Sequence, residues 1–474
     1  MKRLILTLFL SAALATASRA PDVIVLTNVN VVDVLGGKIE QNMTVVLKEG
    51  RIDSIARVGL IGRGRGIHVV NASGKFLVPG FWDMHVHSGG GSGPAWDEKI
   101  IYPLYVVHGI TGVRDMGGDL DLLQARQKRV ATGELLAPTL IISGPFITGG
   151  KSGAEVVGVH NAEEARKAVD DLKAKHVDFI KLLDSIQREA YFALSEECRK
   201  QKIPFAGHVP DAISAAEASS AGQHSMEHLM GISMACSAKE TELRRRRVEA
   251  FAQRDAKTYQ AVGEEAMESY DPAKAHLLFK QFSANSTWQV PTLVWWRAQS
   301  RLDEKDLAQD SRLKYVPAWA RKQWDPQQLA KDNPPEVVSA LKRTLTRYIE
   351  LVRIMHKENV QLLAGTDSPD PYDFPGFSLH EEFSLLAQAG LSAPEILRIA
   401  TYYPAVFLGR TDKSGTVDKG KAADLVLLDA NPLQDSGNLK KISGVVLHGR
   451  FLDRGQLDKM LAEAETLAEK AVDH

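Results

Sequence analysis

The sequence predicts an α/β chain built on a (β/α)8 barrel, flanked at both ends by β-rich pieces. Three observations predict it. Eight short apolar runs recur through the middle of the chain, most of them followed by a helix-compatible stretch such as AEEARKAVDDLKAK or REAYFALSEECRKQ. Alternation of this kind is the signature of βαβ units and a parallel sheet. Eight units in about 300 residues fit a barrel of this class, which typically needs ~250. Residues 23–78 and the stretch GTVDKGKAADLVLLDANPL…ISGVVLHGRFLDRG instead read as strands joined by turns. A doubly wound open sheet is the main alternative, but no G-x-G-x-x-G follows the first run.

The runs are KFLVPGFWDMHVH, GITGVRDMG, PTLIISGP, HVDFIKLLD, IPFAGHVP, HSMEHLMG, WQVPTLVWW and VQLLAGTDS. Two long polar helical insertions, about 238–286 and 298–359, account for the length beyond a minimal barrel. The tail beyond residue 457, DKMLAEAETLAEKA, reads as one amphipathic helix packed on the barrel exterior.

Composition narrows the function classes. The chain has 474 residues, 44% hydrophobic and 25% charged, which is ordinary globular composition. Lys+Arg is 58 against Asp+Glu 59, for a net charge of −1. That balance offers no electrostatic footprint for nucleic acid or an anionic membrane. Two cysteines, Cys198 and Cys236, cannot build a zinc–thiolate cluster or a disulfide framework, although they could pair with each other in an oxidising compartment. If metal is bound, histidine and carboxylate must therefore do most of the binding.

The N-terminus reads as a targeting segment. Lys2 and Arg3 precede an apolar stretch over residues 4–17, which ends in Ser18-Arg19-Ala20. This is the pattern of a signal peptide over 1–20, with the mature chain starting near Pro21 in the periplasm or outside the cell. The stretch is short for a bilayer-spanning helix, which needs ~20 residues; an uncleaved anchor is the alternative. No later segment has spanning length without charges.

The strongest local signal is His85-Val86-His87 at the end of the first run. In a strand, residues i and i+2 point to one face, so both imidazoles project into the barrel mouth, where active sites of this fold sit. Other strand ends carry Lys181, His208, His228 and Asp367. Six potential ligands, all at C-terminal strand ends, are hard to assign to core packing.

These motifs resemble the amidohydrolase superfamily, in its imidazolonepropionase-related, prolidase-like branch. The resemblance rests on VPGFWDMHVH, GITGVRDMGG, GHVPDAISAAEASSAGQHSMEHL, LLAGTDS and GTVDKGKAADLVLLDANPL. It implies a small β-sandwich formed by both chain ends (21–75 and 412–456), a barrel over 76–411 and a C-terminal helix over 457–474. It further implies two divalent metal ions. His85, His87 and Asp367 would bind the more buried one and His208 and His228 the more exposed one, with Lys181 bridging both as a CO2-derived carbamate. Zinc suits these ligands best, with manganese, cobalt and iron as alternatives.

The implied chemistry is attack of a metal-bridging hydroxide on an amide, with Asp367 accepting the proton and passing it to the leaving nitrogen. A dipeptide or N-acyl amino acid is the expected substrate. A cyclic amide or lactone, or binding without catalysis, are the alternatives. A homo-oligomer is admitted. The chain departs from many relatives where a TGGHG motif is replaced by Thr148-Gly149-Gly150-Lys151-Ser152-Gly153, and where Val209-Pro210-Asp211 follows His208. Both departures bear on substrate choice.

Weaker expectations concern other residues. Arg114 and His160 could bind a substrate carboxylate, against a structural ion pair for Arg114 and a surface position for His160. Trp295 and Trp296 are read as the end of strand seven, where one indole could line the substrate pocket. Arg244 to Arg247 read as a solvated helix face. The glycine-rich segment 89–93 could let a loop approach the metals.

Overall fold

The computed structural model describes residues 23–57, 66–91, 93–304 and 306–471. The expected signal segment lies outside them. The barrel strands are Phe81–Val86, Ile110–Asp115, Thr139–Ile142, Ile180–Leu182, Phe205–Gly207, Ser225–Glu227, Trp288–Val290 and, as the eighth, residues 361–364. Each falls within one of the eight apolar runs. Parallel pairing joins the first three, and it joins the fourth through seventh.

Three sets of backbone hydrogen bonds close the ring. Asp178 N donates to Ile142 O at 2.9 Å between strands three and four. Leu363 N donates to Gln289 O at 2.9 Å between seven and eight, and Met84 N to Ala364 O at 2.9 Å between eight and one. Inward-facing residues fill the interior as a separate core that includes Trp82, Met84, Ile141, Phe179, Trp288 and Leu363. The barrel is thus packed solid, and only its mouth is available for chemistry.

The two chain ends meet in one continuous eight-stranded sheet. Leu425–Leu428 pairs antiparallel with Phe76–Pro79, which also pairs with the first strand, Val23–Asp33. Alternate residues such as Leu26, Val45, Leu77, Leu425 and Val446 form its own apolar core. Phe76–Pro79 therefore belongs to this accessory sheet, and the barrel begins at Phe81 rather than at residue 76.

The C-terminal helix, Arg454–Lys470, starts earlier than expected because Asp453 and Gln456 form a reciprocal cap. It packs on the helix Glu98–Val107, outside the barrel. Among the described residues, no helix is long and apolar enough to cross a membrane. Cys198 and Cys236 are separate buried thiols, each pushed up to about 12 by burial.

The first insertion forms helices Glu240–Gln253, Ala256–Glu268 and Pro272–Asn285, and the second ends in the long helix Pro335–Lys357. The arginine run is not a solvated face throughout. Arg245 is exposed beside Glu249, but Arg244 donates to Asp211 O and Ile213 O, and Arg247 to Asp211 Oδ1 at 2.7 Å. The helix thereby caps the loop after strand five.

Candidate metal centre

Four of the six predicted ligands converge on one point. His85 Nε2 and His87 Nε2 stand 3.0 and 3.1 Å from Asp367 Oδ1, and His228 Nε2 stands 3.8 Å from Asp367 Oδ2. Ligand atoms of His85, His228 and Asp367 all lie within 4.8 Å of one another. His208 joins through its ring, 5.0 Å from that of His228. Lys181 is 1% exposed and forms no hydrogen bond or ion pair among the described residues. Burial, partly offset by Glu227 and Asp367, lowers its ammonium to about 8.

The outer nitrogens explain how the rings are aimed. His85 Nδ1 lies 2.9 Å from Glu227 Oε2, His87 Nδ1 3.0 Å from Gly117 O, and His208 Nδ1 2.8 Å from Asp184 Oδ1. His228 Nδ1 meets Thr292 Oγ1 at 2.7 Å. A carboxylate or carbonyl partner requires Nδ1 to donate, so the neutral tautomer of each of these rings carries its lone pair on Nε2. His85 Nε2 is fully buried, lacks a hydrogen-bond partner and faces a carboxylate oxygen. Acceptor against acceptor is repulsive unless a cation lies between them, so these residues fit a divalent metal.

Backbone geometry marks the same place. His228 and Asp367 adopt positive φ, 61° and 77°, which is uncommon for residues with a Cβ. The bend at His228 lets it join the cluster although Glu227, one position earlier, points to the barrel interior. Asp367 is held by its own N–H to His85 O at 2.8 Å. Asp83, buried beneath, takes Thr366 Oγ1 at 2.8 Å. Burial disfavours an ionised Asp367, but His228 and His85 outweigh it and keep the carboxyl well below its usual range.

The other expectations resolve differently. Arg114 is fully buried, and its guanidinium donates to Met84 O, Ser225 Oγ and both oxygens of Glu227. It supports Glu227 from below and is not free to meet a substrate carboxylate. Its partner is Glu227 rather than the adjacent Asp115. His160 is exposed in the turn before the helix Ala162–Ala174, where its backbone N–H donates to Glu164; no contact ties it to the cluster.

Trp295 and Trp296 lie on the helix Leu293–Gln299, past the end of strand seven. Trp296 is buried and donates to His228 O, whereas Trp295 is half-buried with its ring 6.0 Å from that of His228. A cavity of about 450 Å³ is walled by Asp184, the partner of His208, and by Asp211, Arg247, Tyr259 and Trp296. Glu227, Asp184 and Thr292, which aim the histidines, were not singled out from the sequence. Only the adjacency of Glu227 to His228 in HSMEHLMG, and of Asp184 to the Lys181 run, could have signalled them.

Comparisons with known proteins bear on the fold and the family. Solved structures of similar fold include a bottromycin amidohydrolase, with TM-score 0.73 and 23% identity over 94% of this chain and 91% of that one. A Xaa-Pro dipeptidase with bound methionine in its active site has TM-score 0.65 and 17% identity, over 91% of this chain and 100% of that one. Among curated proteins, N-acetylglucosamine-6-phosphate deacetylase of Lysinibacillus sphaericus is 29% identical over 144 residues, 28% of this chain. The matched segment spans 36% of that relative's length. The Amidohydrolase family profile matches residues 76–452, which includes all six predicted ligands, and the chain belongs to that family.

Proposed function

We propose that this protein is an exported, metal-dependent hydrolase of an amide bond in a dipeptide or N-acyl amino acid. The observation that carries the reading is the pair of Nε2 atoms, on His85 and His87, set against one oxygen of Asp367, with that of His85 buried and unpartnered. His85, His87 and Asp367 would hold one divalent ion and His208 and His228 a second, zinc being the best match to the donors. Lys181 would serve both after its neutral amine adds to CO2 and loses a proton. A lysine lowered to about 8 has a neutral fraction for that reaction near pH 7. Such ions, when bound, lower the pKa of water and polarise a carbonyl.

The chain's own groups supply the rest. Asp367, ionised and partly open at the mouth, accepts the proton of the attacking water and returns it to the departing nitrogen. Glu227, Gly117 and Asp184 accept from the outer nitrogens and so aim the imidazoles.

The test pairs metal analysis with a panel of dipeptides, N-acyl amino acids, cyclic amides and lactones. Two metals per chain and hydrolysis of at least one of the first two classes are expected. Turnover confined to cyclic amides or lactones would move the substrate assignment, and a metal-free, inactive protein would remove the hydrolase reading.

A further inference from the structure

Asp370 lies three positions past Asp367, half-buried on the loop that leaves the eighth barrel strand. Its Oδ2 accepts two hydrogen bonds, from Trp295 Nε1 at 2.6 Å and from Gln299 Nε2 at 3.0 Å. Its Oδ1 has no hydrogen-bond partner among the described residues, and no cationic side chain there pairs with either oxygen. Both donors come from the helix Leu293–Gln299, and Trp295 is the residue whose ring stands 6.0 Å from that of His228. A carboxylate locked at one oxygen and open at the other therefore stands beside an indole at the edge of the metal centre.

Asp370 is half-buried, and its open Oδ1 has neither a protein donor nor a cation beside it among the described residues. Burial and the nearby charge of Asp367 push its carboxyl up to about 7, with the Trp295 hydrogen bond and His87 pulling the other way. A cation arriving from solvent would pair with the open oxygen and favour the ionised carboxylate. An ammonium is the chemical match, since it brings three donors on a compact charge and is attracted to an indole ring.

We propose that Asp370 and Trp295 form the subsite for a free amino group of the substrate. The preferred substrates then carry an α-ammonium beside the scissile amide, as an unblocked dipeptide does, and N-acyl amino acids are poor ones. This rests on the hydrolase reading above and chooses between its two substrate classes. An N-acyl substrate presents a neutral amide nitrogen and leaves the Asp370 carboxylate desolvated without a partner.

The experiment compares leucyl-alanine with N-acetyl-leucyl-alanine, and measures binding of leucinol, an amine without a scissile bond, to the metal-loaded protein by calorimetry. Asp370→Asn retains an oxygen for Trp295 Nε1 and removes only the charge. It should raise KM for leucyl-alanine about ten- to a hundredfold, as expected for loss of a charge-assisted contact, with kcat little changed. Leucinol binding should weaken by a similar factor, and Trp295→Leu should weaken it to a lesser degree.

A wild-type preference for the N-acetyl substrate would overturn the proposal. So would an equal loss of kcat on both substrates, or a fall in bound metal, in Asp370→Asn. Leucinol binding separates the two readings. Asp370-dependent binding in a protein that hydrolyses no amide defeats the hydrolase assignment alone, whereas unchanged binding in an active Asp370→Asn enzyme defeats the subsite alone.

Discussion

Arg114 Nη2 lies 3.0 Å from both carboxylate oxygens of Glu227, and the two side chains are sealed from solvent 113 positions apart in the chain. The same Glu227 carboxylate takes His85 Nδ1, so a buried arginine on strand two fixes the acceptor that orients a proposed metal ligand on strand one. Burial opposes ionisation of Glu227, but Arg114 and His85 outweigh it and hold the carboxyl well below its usual range.

Replacing Arg114 should therefore act on metal binding without touching a ligand. Arg114→Met leaves a buried carboxylate without its cation, which costs about 3–5 kcal/mol. With Glu227 driven towards its protonated form, His85 loses its acceptor, and metal affinity should drop ~10–100-fold, as for loss of an outer-shell partner. Thermal unfolding and chelator competition check both effects. Wild-type values in the variant would detach Arg114 from the site.

The barrel was legible because parallel strands covered on both faces read as unbroken apolar runs, and the candidate site residues were legible because the fold puts chemistry at the ends of those runs. Arg114 was not. Its partner is fixed by barrel closure rather than by any local pattern, so the arginine looked available. Trp295 was misplaced because PTLVWW continues the apolar run of strand seven, while Thr292, at φ 44°, turns the chain into a helix. Arg247 looked solvated because a helix face rich in both charges carries no sign of what packs over it; only the structure sets it against Asp211.

Asp367→Asn should retain the fold and much of the metal while abolishing turnover. An amide oxygen still ligates weakly, but it cannot accept the proton of the attacking water. Single-turnover rates on the preferred substrate, with metal content measured in parallel, test this. Near wild-type rates would take Asp367 out of its proton-transfer role.

Two half-buried histidines away from the site predict an acid-sensitive fold. Burial lowers His108 to about 3 and His380 to about 4. Both rings act as neutral donors, His108 Nδ1 to Leu104 O at 2.7 Å and His380 Nε2 to His108 O at 3.0 Å. The unfolded chain takes up their protons near pH 6.5 and the folded chain only well below it. Stability is therefore fully present above about pH 6.5 and falls as pH drops towards the folded values, by up to about 1.4 kcal/mol per pH unit for each ring. Urea midpoints between about pH 7 and pH 5 should decline, and the double variant His108→Gln, His380→Gln should flatten the decline. A wild-type midpoint that holds constant over that interval contradicts the prediction.

Gly365, two positions before Asp367, is packed against the first barrel strand. A Cβ placed there would stand 2.7 Å from His85 Cβ and 3.0 Å from His85 N, closer than real contacts allow. Gly365→Ala must therefore displace the backbone that carries His85. Overpacking of this kind costs about 1–3 kcal/mol, and the shifted imidazole should also weaken metal binding. The melting temperature and a metal titration report the two effects separately. Retention of both would mean that the strands separate more easily than their packing implies.

Lys181 separates an ordinary strand-end lysine from a metal-bridging one. An ordinary lysine would project to solvent and could be truncated with little effect, yet this one is sealed within the barrel mouth without a hydrogen-bonding partner among the described residues. Its charge is felt by His85, His87 and His228, so the ammonium form opposes any cation these rings bind. Conversion to the carbamate would reverse the sign and turn an obstacle into an oxygen ligand. Under that proposal Lys181→Ala would remove the ligand and leave His208 and His228 as the only protein donors to the more exposed ion, where a stable zinc site generally needs three. Bound metal should fall from about two per chain towards one, with catalysis lost. A short carboxylic acid at high concentration should enter the vacated space and restore part of the activity, and depleting bicarbonate should slow reconstitution of the wild-type apoprotein but not of the variant. Full metal content and full turnover in Lys181→Ala would end the carbamate assignment and leave at most a single-metal centre built on His85, His87 and Asp367.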